Sequence, residues 1–130
     1  MFGNVNNFKQ QGNIGMAYAI AYYTKLGYVV SIPLTDSQDY ELIIDTGIKL
    51  LKVQVKTTDF KTKHGIYQVG LKTCGGNKSN STVKKFNQNS SDLLFVLTSD
   101  GTCYSIPRSS ISTTCTINLG DTYIKYKVML

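Results

Sequence analysis

The chain has 130 residues, one domain's length, and its 42% apolar content excludes wholesale disorder. Fourteen basic residues against eight acidic ones give a formal charge of +6. A polyanionic partner is therefore expected, nucleic acid first and an anionic membrane surface second. The three cysteines, Cys74, Cys103 and Cys115, lie in no CxxC pair and cannot close as pairs. This argues against a zinc knuckle or a secreted disulfide scaffold, and leads us to expect free thiols in a reducing, cytoplasmic setting.

In chain order, residues 14–26 read as a helix, with Asn13 as its cap and Ile14, Ala17, Ala21, Tyr18 and Tyr22 at helical spacing. Gly27 is the stop. The apolar run at 14–23 is too short to cross a bilayer and lacks the flanks of a signal peptide, so no membrane role is expected. Residues 28–34 read as a strand ending at Pro33, and 36–39 as a turn. Two further strands, 40–45 and 50–58, are joined around Thr46-Gly47 as a hairpin. Another strand is expected at 66–73, then a polar loop at 75–82 and a short helix at 81–88. The continuous apolar run at 92–97 has the pattern of a strand buried on both faces. Strands at 103–106 and 123–128 complete a fold of the α/β (α+β) class around one sheet, a single domain over 1–130.

The chemistry concentrates between residues 39 and 56. Glu41 is the chain's sole glutamate, leaving seven aspartates as the other acids. Alternate residues of a strand share a face, so Lys52, Gln54 and Lys56 form one row, while Asp39, Glu41 and Asp45 share a face of theirs. An even-numbered hairpin loop sets Glu41 opposite or diagonal to Gln54, within about 4.5–8 Å at Cβ. A three-residue loop separates the two rows unless a bulge restores the register. A carboxylate, a side-chain amide and a lysine so placed suit metal-assisted phosphodiester cleavage. Glu41, Gln54 and the Val55 carbonyl would hold Mg²⁺, and Lys56 would face charge on the phosphate. A plain solvent-facing strand carries the same kind of polar row.

The ordered segments Gly12-Asn-Ile-Gly15, Leu26-Gly-Tyr-Val-Val-Ser-Ile-Pro-Leu34, Tyr40-Glu-Leu-Ile-Ile-Asp45 and Val53-Gln-Val-Lys-Thr57 resemble the PD-(D/E)xK nuclease superfamily. Ser91-Asp-Leu-Leu-Phe-Val-Leu97 and Tyr104-Ser-Ile-Pro107 extend the likeness over roughly residues 10 to 126. The nearest resemblance is to its intron-encoded homing endonucleases. It implies a restriction-endonuclease-like core, a central mixed sheet flanked by helices. It also implies that Glu41 stands for the motif's first acid, Gln54 for the second, and Lys56 for its lysine. Relatives commonly carry a glutamate on the first helix, where this chain has Met16.

The second signal is basic. Six lysines and no acid lie between Lys61 and Lys85, interleaved with Tyr67, Asn77 and Asn80. Region 61–91 is expected to contact double-stranded DNA through Lys61, Lys63, His64, Lys72, Lys78, Lys84 and Lys85. A hairpin over 61–78 could lie in the major groove as a ribbon. His64 has no acid nearby in sequence to orient it as a base. The expected protein is a Mg²⁺-dependent, site-specific DNA endonuclease of the homing type, acting as a homodimer or homotetramer. The alternatives are a catalytically silent DNA binder on the same fold, or a restriction or junction-resolving nuclease. An RNA-binding module lacks its aromatic signature.

Overall fold

The computed structural model describes residues 2–3, 7–71, 91–113 and 115–130. Helix α1 (Phe8–Lys25) is followed by strands β1 (Val29–Ser31), β2 (Leu42–Asp45), β3 (Leu50–Thr58) and β4 (Gln68–Gly70). Then come β5 (Leu93–Thr98), β6 (Cys103–Pro107), β7 (Thr116–Asn118) and β8 (Lys127–Val128), with 3₁₀ turns at Arg108–Ser110 and Asp121–Tyr126. Six strands form one mixed sheet in the order β1-β2-β3-β5-β6-β8, and β4 pairs with β7 in a second sheet.

The central strands define two cores by simple alternation. Phe95 and Leu97 of β5 join Leu42, Ile44, Val53, Ala19 and Tyr23 on the face that α1 covers. Leu94 and Val96 point the other way, into a core with Val69, Tyr104, Ile106, Ile117 and Tyr123, under the β4–β7 pair and the second 3₁₀ turn. The uninterrupted apolar run of β5 thus fills both cores, as its sequence requires. Among the described strands, only β3 and β5 run parallel as neighbours, from Val53↔Leu93 to Thr58↔Thr98.

The cap of helix α1 lies six residues before the expected one. Asn7 is extended (φ −149°, ψ 158°), and its side chain accepts a hydrogen bond from the Gln10 amide. Asn7 with Gln10 three residues on has the pattern of a capping box, the signal that places this start in the sequence. The buried stripe is Gly15, Ala19 and Tyr23, so the face of small residues, not the apolar set centred on Ala17 and Ala21, meets the sheet. A Cβ at Gly15 would lie 2.5 Å from Cγ2 of Thr57, so glycine is what lets the helix lie against β3. Tyr23 anchors the far end, its buried hydroxyl 2.8 Å from Ser105 Oγ. Gly27 (φ +87°) ends the helix as expected.

Four other expectations change. The strand expected over 28–34 is the edge strand β1, cut to three residues because Pro33 has no amide hydrogen to continue the ladder. The strand expected over 66–73 contributes only Gln68–Gly70 within the described residues. Most of 123–128 is the 3₁₀ turn that starts after Gly120, and only Lys127–Val128 pairs. Cys115 is disulfide-bonded, against the expectation of three free thiols; the absence of a CxxC pair says nothing about cysteines distant in sequence. Cys103 remains a free thiol, and burial pushes its pKa up to about 11.

Candidate active site

The β2–β3 hairpin carries the site. Asp45 pairs with Leu50, which leaves a four-residue loop, and the register runs from there to Leu42↔Val53. The loop is thus of even length, but the register does not continue to Glu41, whose amide donates to the Val53 carbonyl. Asp45 itself is a turn residue: its Oδ1 accepts from the Gly47 amide at 2.8 Å, and Gly47 takes φ +89°.

β2 stops at Leu42 while β3 continues to Thr58, so among the described residues no strand lies beside that side of β3 beyond Val53. On β3, Lys52 and Thr58 bond toward β5: the Lys52 carbonyl accepts from the Asp92 amide, and the Thr58 carbonyl from the Ser99 amide. Val53 and Val55 therefore present their main-chain groups to the β2 side. The Val53 carbonyl accepts from the Glu41 amide at 2.9 Å, and the Val55 amide donates to Glu41 Oε2 at 2.7 Å. The Glu41 carboxylate takes the place of a missing strand. The Val55 carbonyl shares the side of its amide, next to that carboxylate.

Glu41 is two-sided electrostatically. Burial holds its carboxyl above the ordinary glutamate range. The Val55 amide and the Lys56 charge pull it down, while Asp39 pushes it further up. Lys56 is thus close enough to act on Glu41. Gln54, only 8% exposed, has an Oε1 buried with no hydrogen-bond partner. A buried amide oxygen left bare is an unusual cost, because such atoms are normally satisfied.

Two hollows open beside these residues. Glu41 lines a pocket of about 230 Å³ with Tyr40, Pro33 and Met16 of α1. Lys56 lines a larger cleft of about 530 Å³, whose walls include Phe8, Gln11 and Gly12 of α1, Phe60 after β3, and Gln68 and Gly70 of β4. The structure therefore brings Glu41, Val55 and Lys56 together on this side of β3, while Gln54, next to Val55 on the strand, is buried. Among the described residues no cluster of three or more His, Cys, Asp or Glu side chains is poised for a metal. The oxygen donors present, one carboxylate, one bare amide oxygen and one carbonyl, nevertheless suit Mg²⁺, which takes few protein carboxylates and keeps water and phosphate ligands.

The expected DNA-contacting residues divide. Lys61, Lys63 and His64 sit in a tight hairpin after β3, closed by the Lys61↔Tyr67 bridge and by the Thr62 amide donating to the Ile66 carbonyl. All three are exposed. The Lys61 ammonium lies 4.8 Å from the Tyr67 ring centroid. Lys72, Lys78, Lys84 and Lys85, with the loop at 75–82 and the helix at 81–88, lie outside the described residues. Sequence reasoning missed Phe8, Gln11 and Phe60 as walls of the Lys56 cleft. The capping signal at Asn7 would have put the first two on α1, but nothing local pointed Phe60 at it.

The family model described as PD-(D/E)XK endonuclease matches residues 6–125. The chain belongs to the PD-(D/E)XK endonuclease family. Among solved structures it is similar to a bacterial homing endonuclease, I-Ssp6803I, at 30% identity and a TM-score of 0.77. The match covers 89% of this chain and 80% of that one. No curated protein sequence matches the chain. The mixed sheet with α1 against it is the expected nuclease core, and the homing-type resemblance holds. Among the described residues no helix is long and apolar enough to cross a membrane.

Proposed function

We propose that this PD-(D/E)XK protein is a Mg²⁺-dependent, site-specific endonuclease of the homing type that hydrolyses phosphodiester bonds in double-stranded DNA. The observation that carries the reading is the carboxylate of Glu41 held on the Val55 amide and within reach of the Lys56 charge, with the bare Gln54 Oε1 on the residue before Val55. Glu41, Gln54 and the Val55 carbonyl would hold the metal. Mg²⁺, when bound, supplies Lewis-acid polarisation of the phosphate and a more acidic water. Glu41 acts as the ionised form, which its burial opposes and which the Val55 amide and Lys56 favour. Lys56 faces the attacked phosphate and stabilises the charge that builds there, a role that needs a positioned cation rather than a mobile one. Gln54 brings an oxygen without a charge, keeping the site less negative than a two-acid site and suited to approach by a polyanion.

One such site cuts one strand. Double-strand cleavage then calls for two or more copies related by a two-fold axis, a homodimer or homotetramer. A second reading, a silent DNA binder, has one observation in its favour: α1 brings Met16, not an acid, to the Glu41 pocket. Incubation of the protein with supercoiled plasmids carrying a library of candidate sites, with Mg²⁺ and with EDTA, separates the two. Linear product that forms only with the metal is the expected result. DNA retained in a gel shift but never cut, whatever the divalent metal, makes the silent binder the better account.

A further inference from the structure

The cleft beside Lys56 has walls that metal-assisted cleavage does not explain. Phe8 opens α1 at 85% exposure, and Phe60 follows β3 at 58% exposure, yet both line the same hollow of about 530 Å³. Its other walls mix polar side chains, Gln11 from α1, Thr58 from β3 and Gln68 from β4, with Val55 and the acidic Asp59. Two large apolar rings left in water around a mixed cleft that holds one lysine and one aspartate do not serve the fold, since neither joins a buried core. They do match an unstacked nucleotide. Its base offers two π-faces to aromatic walls, its edge offers donors and acceptors, and its phosphate offers a charge to a lysine. The volume is in the roughly 300–1,000 Å³ range of clefts that hold compact ligands. The formal charge of +6 favours a polyanion over an acid-poor or apolar partner.

We infer that this cleft seats one unstacked nucleotide of the bound DNA, its base against Phe8 and Phe60 and its phosphate toward Lys56. The inference rests on the nuclease reading and adds to it a place where the duplex is locally opened. Drawing a nucleotide out of the stack costs its stacking and pairing, least where the strand is already single or mismatched. The cleft therefore favours single-stranded or mismatched probes over perfect duplex of the same length.

The test uses the full chain in EDTA, where nothing is cut, and a short oligothymidylate with one central 5-iododeoxyuridine as the probe. Binding is read by fluorescence anisotropy, and photo-crosslinks are mapped by mass spectrometry. The double variant Phe8→Ala/Phe60→Ala is expected to bind about tenfold or more weakly, the loss of about one base–aromatic stack. Phe8→Tyr/Phe60→Tyr, which keeps both rings, is expected to bind within about twofold of the parent. The crosslink should fall on Phe8 or Phe60. Unchanged binding by the alanine variant, or crosslinks confined to other residues, overturns the proposal. So does a changed oligomeric state with unchanged binding, which would make the rings a contact between copies. A parent that cuts plasmid with Mg²⁺ while the alanine variant binds as tightly defeats the cleft proposal alone; a parent that neither binds nor cuts defeats the nuclease reading as well.

Discussion

At the scale of single residues, Glu41 is where stability and function pull apart. Its carboxyl is held above the ordinary range chiefly by burial, so folding favours the protonated form more than the unfolded chain does. A raised folded pKa contributes stability that is fully present below the unfolded glutamate value, about 4.3, and is lost as pH rises through the folded value. Glu41→Gln keeps an oxygen for the Val55 amide and removes the buried charge. This variant should melt higher than the parent at pH 7, with the difference shrinking toward pH 4. Mg²⁺ should raise the melting temperature of the parent and not of the variant, because a ligand stabilises only the state that binds it. Differential scanning calorimetry with and without Mg²⁺ checks both. A variant that melts lower at pH 7, or that keeps the Mg²⁺ shift, would remove Glu41 from the metal site. Much of this was legible in the sequence: one glutamate, the parity of Lys52, Gln54 and Lys56, and a hairpin loop whose even length sets the register. The bare Gln54 Oε1 and the Glu41–Val55 bond were not, because they depend on β2 ending at Leu42, a boundary that side-chain pattern alone does not mark.

At the scale of elements, the helix–sheet contact depends on a single missing methyl. Gly15→Ala places a Cβ 2.5 Å from Thr57 Cγ2, and overpacking of that kind costs about 1–3 kcal/mol. Replacing a helical glycine gains roughly 1 kcal/mol, so the two partly offset and the clash should win. Gly12→Ala, with nothing within 4 Å of the new Cβ, should show the gain alone. Urea unfolding of the two variants should move in opposite directions, and adding Thr57→Ser to Gly15→Ala should recover most of the loss. A Gly15→Ala protein as stable as the parent would mean that α1 does not lie on β3 as described. The same contact explains where the sequence misled. Periodicity put the helix start at Asn13 and its apolar face on Ala17 and Ala21, but small residues do not register as a buried face, and Gly15 and Ala19 are the ones the sheet touches. β3 and β5 were read almost to the residue because their alternation and their apolar run each admit one placement in a sheet. β1 and β8 are edge pieces whose extent is set by partners, which local sequence does not carry.

For the whole molecule, the excess of lysine should make DNA affinity steep in salt. If about six phosphates are neutralised, log K against log[salt] has a slope of roughly −5. Reversing the charges of Lys61 and Lys63, exposed on the hairpin after β3, should flatten that slope by about 2. Fluorescence anisotropy titrations between low and physiological salt read it, and an unchanged slope would place the DNA face elsewhere. The division between holding DNA and cutting it is the centre of the account. Lys56 is one charge among fourteen basic residues, so its loss should barely alter a phosphate-driven affinity. It faces the charge that builds in the transition state, and losing one such preorganised group typically costs about 3 kcal/mol, a rate loss of roughly 10²-fold or more. The most direct test pairs a gel-shift titration with single-turnover, Mg²⁺-dependent cleavage for the parent and for Lys56→Ala. The predicted result is near-parental binding with cleavage reduced at least about 10²-fold; Lys56→Ala cutting at the parental rate would contradict the assignment of the active site.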